Sequence, residues 1–134
     1  MDKMVEWSQC NVPHSSQPSV IEIGSGNGTL LFALAKAGYA PTKLTGIDYS
    51  ADAINLAKAI STKRDINGIA FTESDFLKDD LHEHNLWDLV LDKGTYDAIA
   101  LGAKDEHGQS PATRYPAQLT KLIKPGGYFL ITCT

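Results

Sequence analysis

At 134 residues, with 43% apolar and 21% charged residues, the chain has the make-up of one soluble globular domain, which excludes a disordered or fibrous one. Sixteen acidic against twelve basic residues give a net charge of −4, and the longest basic run is Lys63-Arg64, which argues against nucleic acid as a partner. No segment has the length of a membrane span or the apolar stretch of a secretory signal, so the expectations are no membrane partner and a cytoplasmic location.

The N-terminal stretch "DKMVEWSQC" sets Met4, Val5 and Trp7 among polar residues in the pattern of a short amphipathic helix, and the Pro/Ser-rich residues 11–19 read as a linker. Residues 1–18 are therefore expected to form a helix and linker ahead of a domain over 19–134. "SVIEI" (19–23) is a first strand that runs into "GSGNG". From Thr29, the residues Leu30, Leu31, Leu34, Ala35 and Tyr39 recur at helical spacing, and Gly38 with Pro41 supplies a stop. "KLTGI" (43–47) is a second strand ending at Asp48. Ser50 is a suitable N-cap for the helix that follows, whose Ala53, Ile54, Ala57 and Ile60 share a face.

"GIAFTES" (68–74) predicts a third strand ending at Asp75, and "WDLVL" a fourth ending at Asp92. A helix begins within 94–101. "ATRYPAQLTKLI" is helical despite Pro116, which suits a first turn or a kink, "PGG" is a turn, and "YFLITC" is a fifth strand. Short, almost wholly apolar strands separated by helices predict an α/β fold: a Rossmann-like three-layer sandwich with a mainly parallel sheet. Ligands of such sheets bind at the carboxyl ends of the strands, where the strand order reverses. Gly24, Asp48, Asp75 and Asp92 would gather along that edge.

The alternating glycines of "EIGSGNG" let the chain turn sharply and bring its backbone close to a ligand. Their G-x-G-x-G spacing disfavours a nicotinamide-binding loop, usually G-x-G-x-x-G, and the missing Lys-Ser/Thr excludes a Walker A loop. Asp48 is a ribose-hydroxyl acceptor or the charge at a helix start, and the glycine loop favours ribose. Asp75 is an acceptor for an adenine amino group or a turn residue; Phe76 beside it covers the ring or packs in the core. Glu22 stands inside an apolar strand, where a charge needs partners: loop amides, an N-terminal segment, or a ligand. "HEH" at residues 82–84 has no further ligands in register, and Cys10 and Cys133 have no zinc spacing, so no metal site is expected.

"VIEIGSGNGTL", "LTGIDYS", "ESDFL" and "WDLVLDKGTYDAI" resemble the motif series of the seven-strand, S-adenosylmethionine-dependent methyltransferases. "DKGTYDAI" with "FLIT" is similar in particular to the protein-lysine methyltransferases that modify translation elongation factor 1A. The resemblance runs from Val20 to Thr132. It implies S-adenosylmethionine as cofactor and S-adenosylhomocysteine as product. It also implies that Gly24, Ser25, Gly26, Asn27 and Gly28 approach the methionine part, that Asp48 serves the ribose, and that Asp75 and Phe76 serve the adenine; Glu22 and Tyr49 are further candidates for cofactor binding. Asp92 would face the methionine amino group or the incoming lysine. The family's sheet carries two further strands after the fifth, an antiparallel pair that this sequence lacks.

Methyl transfer from a sulfonium demands alignment and dryness more than acid–base machinery. A lysine ammonium must still lose a proton before it attacks, and Asp92 and Asp97 are the candidates to guide it. "DKGT" stands where enzymes that methylate adenine or glutamine amino groups carry a "DPPY"-like tetrapeptide. The function expected is protein-lysine N-methylation, with elongation factor 1A as the protein partner. Three alternatives are an inactive cofactor-binding module, a methyltransferase for another protein or small molecule, and a nicotinamide-dependent oxidoreductase.

Overall fold

The computed structural model describes residues 2–79, 86–100, 104, 107–108 and 110–132. The expected metal-free "HEH" segment and Cys133 lie outside them. The chain runs α1 (Asp2–Asn11), β1 (Val20–Ile23), α2 (Thr29–Lys36), β2 (Leu44–Asp48), α3 (Ala51–Lys63), β3 (Ala70–Glu73), β4 (Trp87–Lys93), α4 (Thr95–Ala100), α5 (Tyr115–Thr120) and β5 (Ile123–Thr132).

The five strands form one parallel sheet in the order β3-β2-β1-β4-β5. From β1 the chain steps outward to β2 and β3, then returns to the other flank for β4 and β5. The carboxyl ends of β1 and β4 are therefore neighbours at the point where the order reverses, with Ile23 opposite Asp92. Each parallel pair is joined by a crossover, because parallel strands cannot be linked by a tight hairpin.

Period-two alternation splits β1 between two cores. Val20 packs with Leu89 and Leu91 against Met4 of α1, Leu30 and Leu34 of α2 and Ile54 of α3. Ile21 and Ile23 pack with Val90 against Tyr115 of α5 and against Leu122. Those two clusters are the outer interfaces of the three layers expected from the sequence. All four residues of β1 are buried, and full burial of an aliphatic side chain stabilises by roughly 1.5–3 kcal/mol. Val20, Ile21 and Ile23 thus anchor the strand that carries the glycine loop, and offset the burial of Glu22 between them.

Several boundaries differ from the sequence-based expectation for identifiable reasons. Strand β4 continues through Asp92 and Lys93, because Asp92 pairs with both Ile23 and Ile131. "PGG" sits within an irregular stretch of β5: Trp87 pairs with Ile123 but Leu89 with Tyr128, so residues 124–127 bulge out, with Gly126 at φ +80°. Pro116 falls in the first turn of α5, where its missing N–H costs nothing. Met4 of α1 and Val12 just after it are core residues, and Trp7 meets Tyr128 of β5 edge-on at 5.5 Å.

Candidate active site

A cleft of about 500 Å³ opens at the carboxyl ends of the strands. Its walls come from Ile23 and Gly24 at the end of β1, Ile47, Asp48 and Tyr49 at the end of β2, Ser74 to Leu77 after β3, and Lys93 to Thr95, Ala98 and Ile99 at β4 and α4. A second, smaller hollow of about 180 Å³ lies on the other side of the glycine turn, lined by Glu22, Gly24, Ser25, Asn27, Thr29, Leu30 and Lys93. Gly24 and Lys93 border both.

The glycines have separate jobs. Gly24, Gly26 and Gly28 all have positive φ, at +67°, +55° and +85°, a region in which side chains are strained. A Cβ on Gly24 would also come within 1.9 Å of Thr95 Oγ1, so the turn after β1 presses on the start of α4. A Cβ on Gly28 would meet the Phe71 ring at 2.8 Å, whereas nothing lies within 4 Å of one on Gly26. Gly26 keeps open space, and the other two allow close packing. Asn27 closes the turn by accepting from the Thr29 hydroxyl at 2.6 Å.

Asp48 holds this loop to β2: one carboxylate oxygen accepts from Gly26 N–H and the other from Ser50 N–H, each at 2.9 Å. Ser50 in turn caps α3 by accepting from Ala53 N–H, as its sequence position predicts. Asp48 remains partly open to the cleft, and a carboxylate has about four lone-pair sites, so it can accept further bonds. Tyr49 beside it is 79% exposed. Asp75 Oδ1 accepts from Leu77 N–H at 3.1 Å, a local turn of the kind aspartate favours. Phe76 lines the cleft and packs in the second core.

Glu22 is 3% exposed and its Oε1 has no hydrogen-bond partner among the described residues; the buried Oγ of Ser25 has none either. Both residues line the small hollow. Burial pushes the Glu22 carboxyl well above the usual range; Lys93 pulls it down, and Asp92 and Asp48 add to the rise. Burying a carboxylate costs more than burying the acid, so Glu22 holds its proton to a higher pH in the folded chain than an exposed carboxyl does.

Asp92 is not a lining residue of the cleft. It is 0% exposed; Oδ1 accepts from Thr95 N–H at 2.7 Å, and Oδ2 accepts from Tyr96 N–H at 3.0 Å and from the Tyr115 hydroxyl. Its carboxylate therefore caps α4 from beneath. In this geometry Asp92 presents its carboxylate to the start of α4 and not to the cleft. The backbone of Asp97 lies in the first turn of α4, and its side chain lies outside the described residues. Burial, followed by the bond to Asp92, pushes the Tyr115 phenol far above its ordinary range.

Lys93, Thr95 and Tyr115 are members of this site that sequence reasoning did not single out. Thr95 and Lys93 were visible within "DKGT". Tyr115 carried no local signal, because it joins the site from a helix after the fourth strand.

A family model described as a methyltransferase domain matches residues 14–133. The chain is 34% identical over 143 residues to the protein-lysine N-methyltransferase efm4 of Schizosaccharomyces pombe, covering 98% of this chain and 60% of that protein. It is 35% identical over 133 residues to the EEF1A lysine methyltransferase 2 of Homo sapiens, covering 98% of this chain and 53% of that protein. The chain thus spans little more than half the length of the curated relatives it matches. Among solved structures, the N-methyltransferase NodS of Bradyrhizobium japonicum, in complex with S-adenosyl-L-homocysteine, superposes with a TM-score of 0.72 at 21% identity, covering 97% of this chain and 58% of that one. At that identity the likeness is one of fold.

Proposed function

Because the chain belongs to the family of methyltransferase domains, we propose that its cleft holds S-adenosylmethionine and that it transfers the methyl group to a lysine of a protein, translation elongation factor 1A in the first instance. The observation that carries the cofactor reading is the pair of orphaned buried acceptors, Glu22 Oε1 and Ser25 Oγ, beside a glycine turn that borders a nucleoside-sized cleft. An α-ammonium group supplies the donors these atoms lack.

The remaining residues fit the same group. Asp48 can accept from ribose hydroxyls at the rim while keeping its backbone bonds. Phe76 and Tyr49 offer ring surface to a purine, and Asp75 an acceptor near its amino group. The volume is that of an ordinary small-molecule site. When bound, the cofactor supplies an electrophilic methyl on a sulfonium. The protein's share is to align and dry the approach of the lysine, a contribution that can amount to roughly 7–11 kcal/mol of the barrier.

The protein-lysine reading draws on the relatives: those of S. pombe and H. sapiens are a protein-lysine N-methyltransferase and an EEF1A lysine methyltransferase, and the sequence carries "DKGTYDA" at the end of β4. The test is incubation of the purified chain with methyl-labelled S-adenosylmethionine and recombinant elongation factor 1A, followed by peptide mapping. Label on a lysine of the factor is the expected result. Label on glutamine, or on a small molecule from extract and not on the factor, would replace the substrate assignment.

A further inference from the structure

The two walls of the cleft are braced by one short helix, α5. Tyr115, at its start, is 2% exposed and donates its hydroxyl to Asp92, the carboxylate that caps α4. Its ring packs against Phe76 at 5.0 Å, Tyr96 at 4.9 Å and Phe129 at 6.2 Å. Three residues on, Gln118 donates from Nε2 to the carbonyls of Phe76, at 2.7 Å, and Asp79, at 2.9 Å. The Phe76 side of the cleft and the Gly94–Thr95 side are therefore both tied to α5.

A phenylalanine would fill the aromatic box as well as a tyrosine does. What the tyrosine adds is a donor to a carboxylate shut off from water, and a charge-assisted bond there is worth about twice a neutral one. Asp92 holds the first turn of α4 through Thr95 and Tyr96 N–H. Thr95 Oγ1 in turn donates to Ile23 O at 3.1 Å and abuts Gly24. A chain of contacts thus runs from Tyr115 through Asp92 and Thr95 to the glycine turn.

We propose that Tyr115 is a positioning residue, acting through Asp92 to fix the first turn of α4 and with it the Gly24–Thr95 seam where the cleft meets the smaller hollow. The proposal rests on the cofactor reading above for its consequence in binding, and on the hydrogen bonds alone for its consequence in structure.

The experiment is Tyr115→Phe in the whole chain, read two ways. Amide hydrogen exchange at Thr95 and Tyr96 is expected to speed up about tenfold while that at Leu77 and Asp79 stays put. Affinity for S-adenosylhomocysteine, by calorimetry, is expected to fall about tenfold. In an Asp92→Asn background the same change should add less than about twofold, since the partner it acts through is already altered. Unchanged exchange at Thr95 and Tyr96, or a loss of equal size in both backgrounds, would overturn the proposal. A parent chain that binds no S-adenosylhomocysteine would count against the cofactor reading, and the exchange measurement would still support or overturn the role of Tyr115.

Discussion

Asp48 and Asp92 are the same residue type at the carboxyl ends of strands that flank β1, yet they do opposite work. Asp48 stays partly open and divides its oxygens between two backbone N–H groups of adjoining loops, Gly26 and Ser50. Asp92 is sealed in the second core with Thr95, Tyr96 and Tyr115 as donors. Pleat alternation helps explain the difference: Asp92 lies on the Val90 side of the sheet, where α4 and α5 close over it. A strand-end carboxylate is available to a ligand when loops surround it, and becomes a structural cap when helices do.

Replacing each by alanine should separate the two. Asp92→Ala leaves buried N–H and phenol donors without an acceptor, and should cost about 3 kcal/mol of stability in urea unfolding. Asp48→Ala exposes its former partners to water and should cost about 1 kcal/mol, while weakening S-adenosylhomocysteine more than about tenfold. Equal stability losses would break the contrast.

Gly24→Ala comes next in size. It combines positive φ with a collision at Thr95, and should cost about 2 kcal/mol. Gly26→Ala meets no neighbour and should cost about 1 kcal/mol from backbone strain alone.

What could be read from the sequence follows the same division. The glycine turn, Asp48 and the Ser50 cap are local: their partners lie within a couple of dozen residues and leave signals in spacing. Glu22 was legible as an anomaly, a charge inside an apolar strand, though not that its Oε1 lacks a hydrogen-bond partner among the described residues. The Asp92 side was legible only as "DKGT". Its burial depends on Tyr115, Tyr96 and Phe129 arriving from three elements, and nothing in the periodicity of "ATRYPAQLTKLI" distinguishes a packing tyrosine from a bonding one. The parallel sheet followed from the alternation of strands and helices, because parallel neighbours need crossovers; the order β3-β2-β1-β4-β5 came only with the structure.

Glu22 sharpens the contrast through pH. Unfolded, it loses its proton near its ordinary 4.5; folded, it keeps it to a higher pH. Between those values the native chain binds more protons than the unfolded one, so its contribution to stability is full below 4.5 and is lost as pH rises through the folded value. Glu22→Gln should flatten this slope in urea midpoints measured across that window.

The smallest effect belongs to Asp88, far from the cleft. Bonds from Ser19, backbone first, and from Lys124 at 3.3 Å hold its carboxyl below the usual range. Its contribution is present above the ordinary aspartate value and is lost as pH falls through the lowered one. The side chains are over a third exposed, so solvent screening limits Asp88→Asn to a few tenths of a kcal/mol near neutral pH.

Titration of the chain with S-adenosylhomocysteine, beside its Asp48→Asn variant and a parallel titration with NAD, bears most directly on the proposed function. Saturable one-to-one binding, weakened more than about tenfold in the variant and absent with NAD, is the predicted result. Binding of NAD with none of S-adenosylhomocysteine would contradict it.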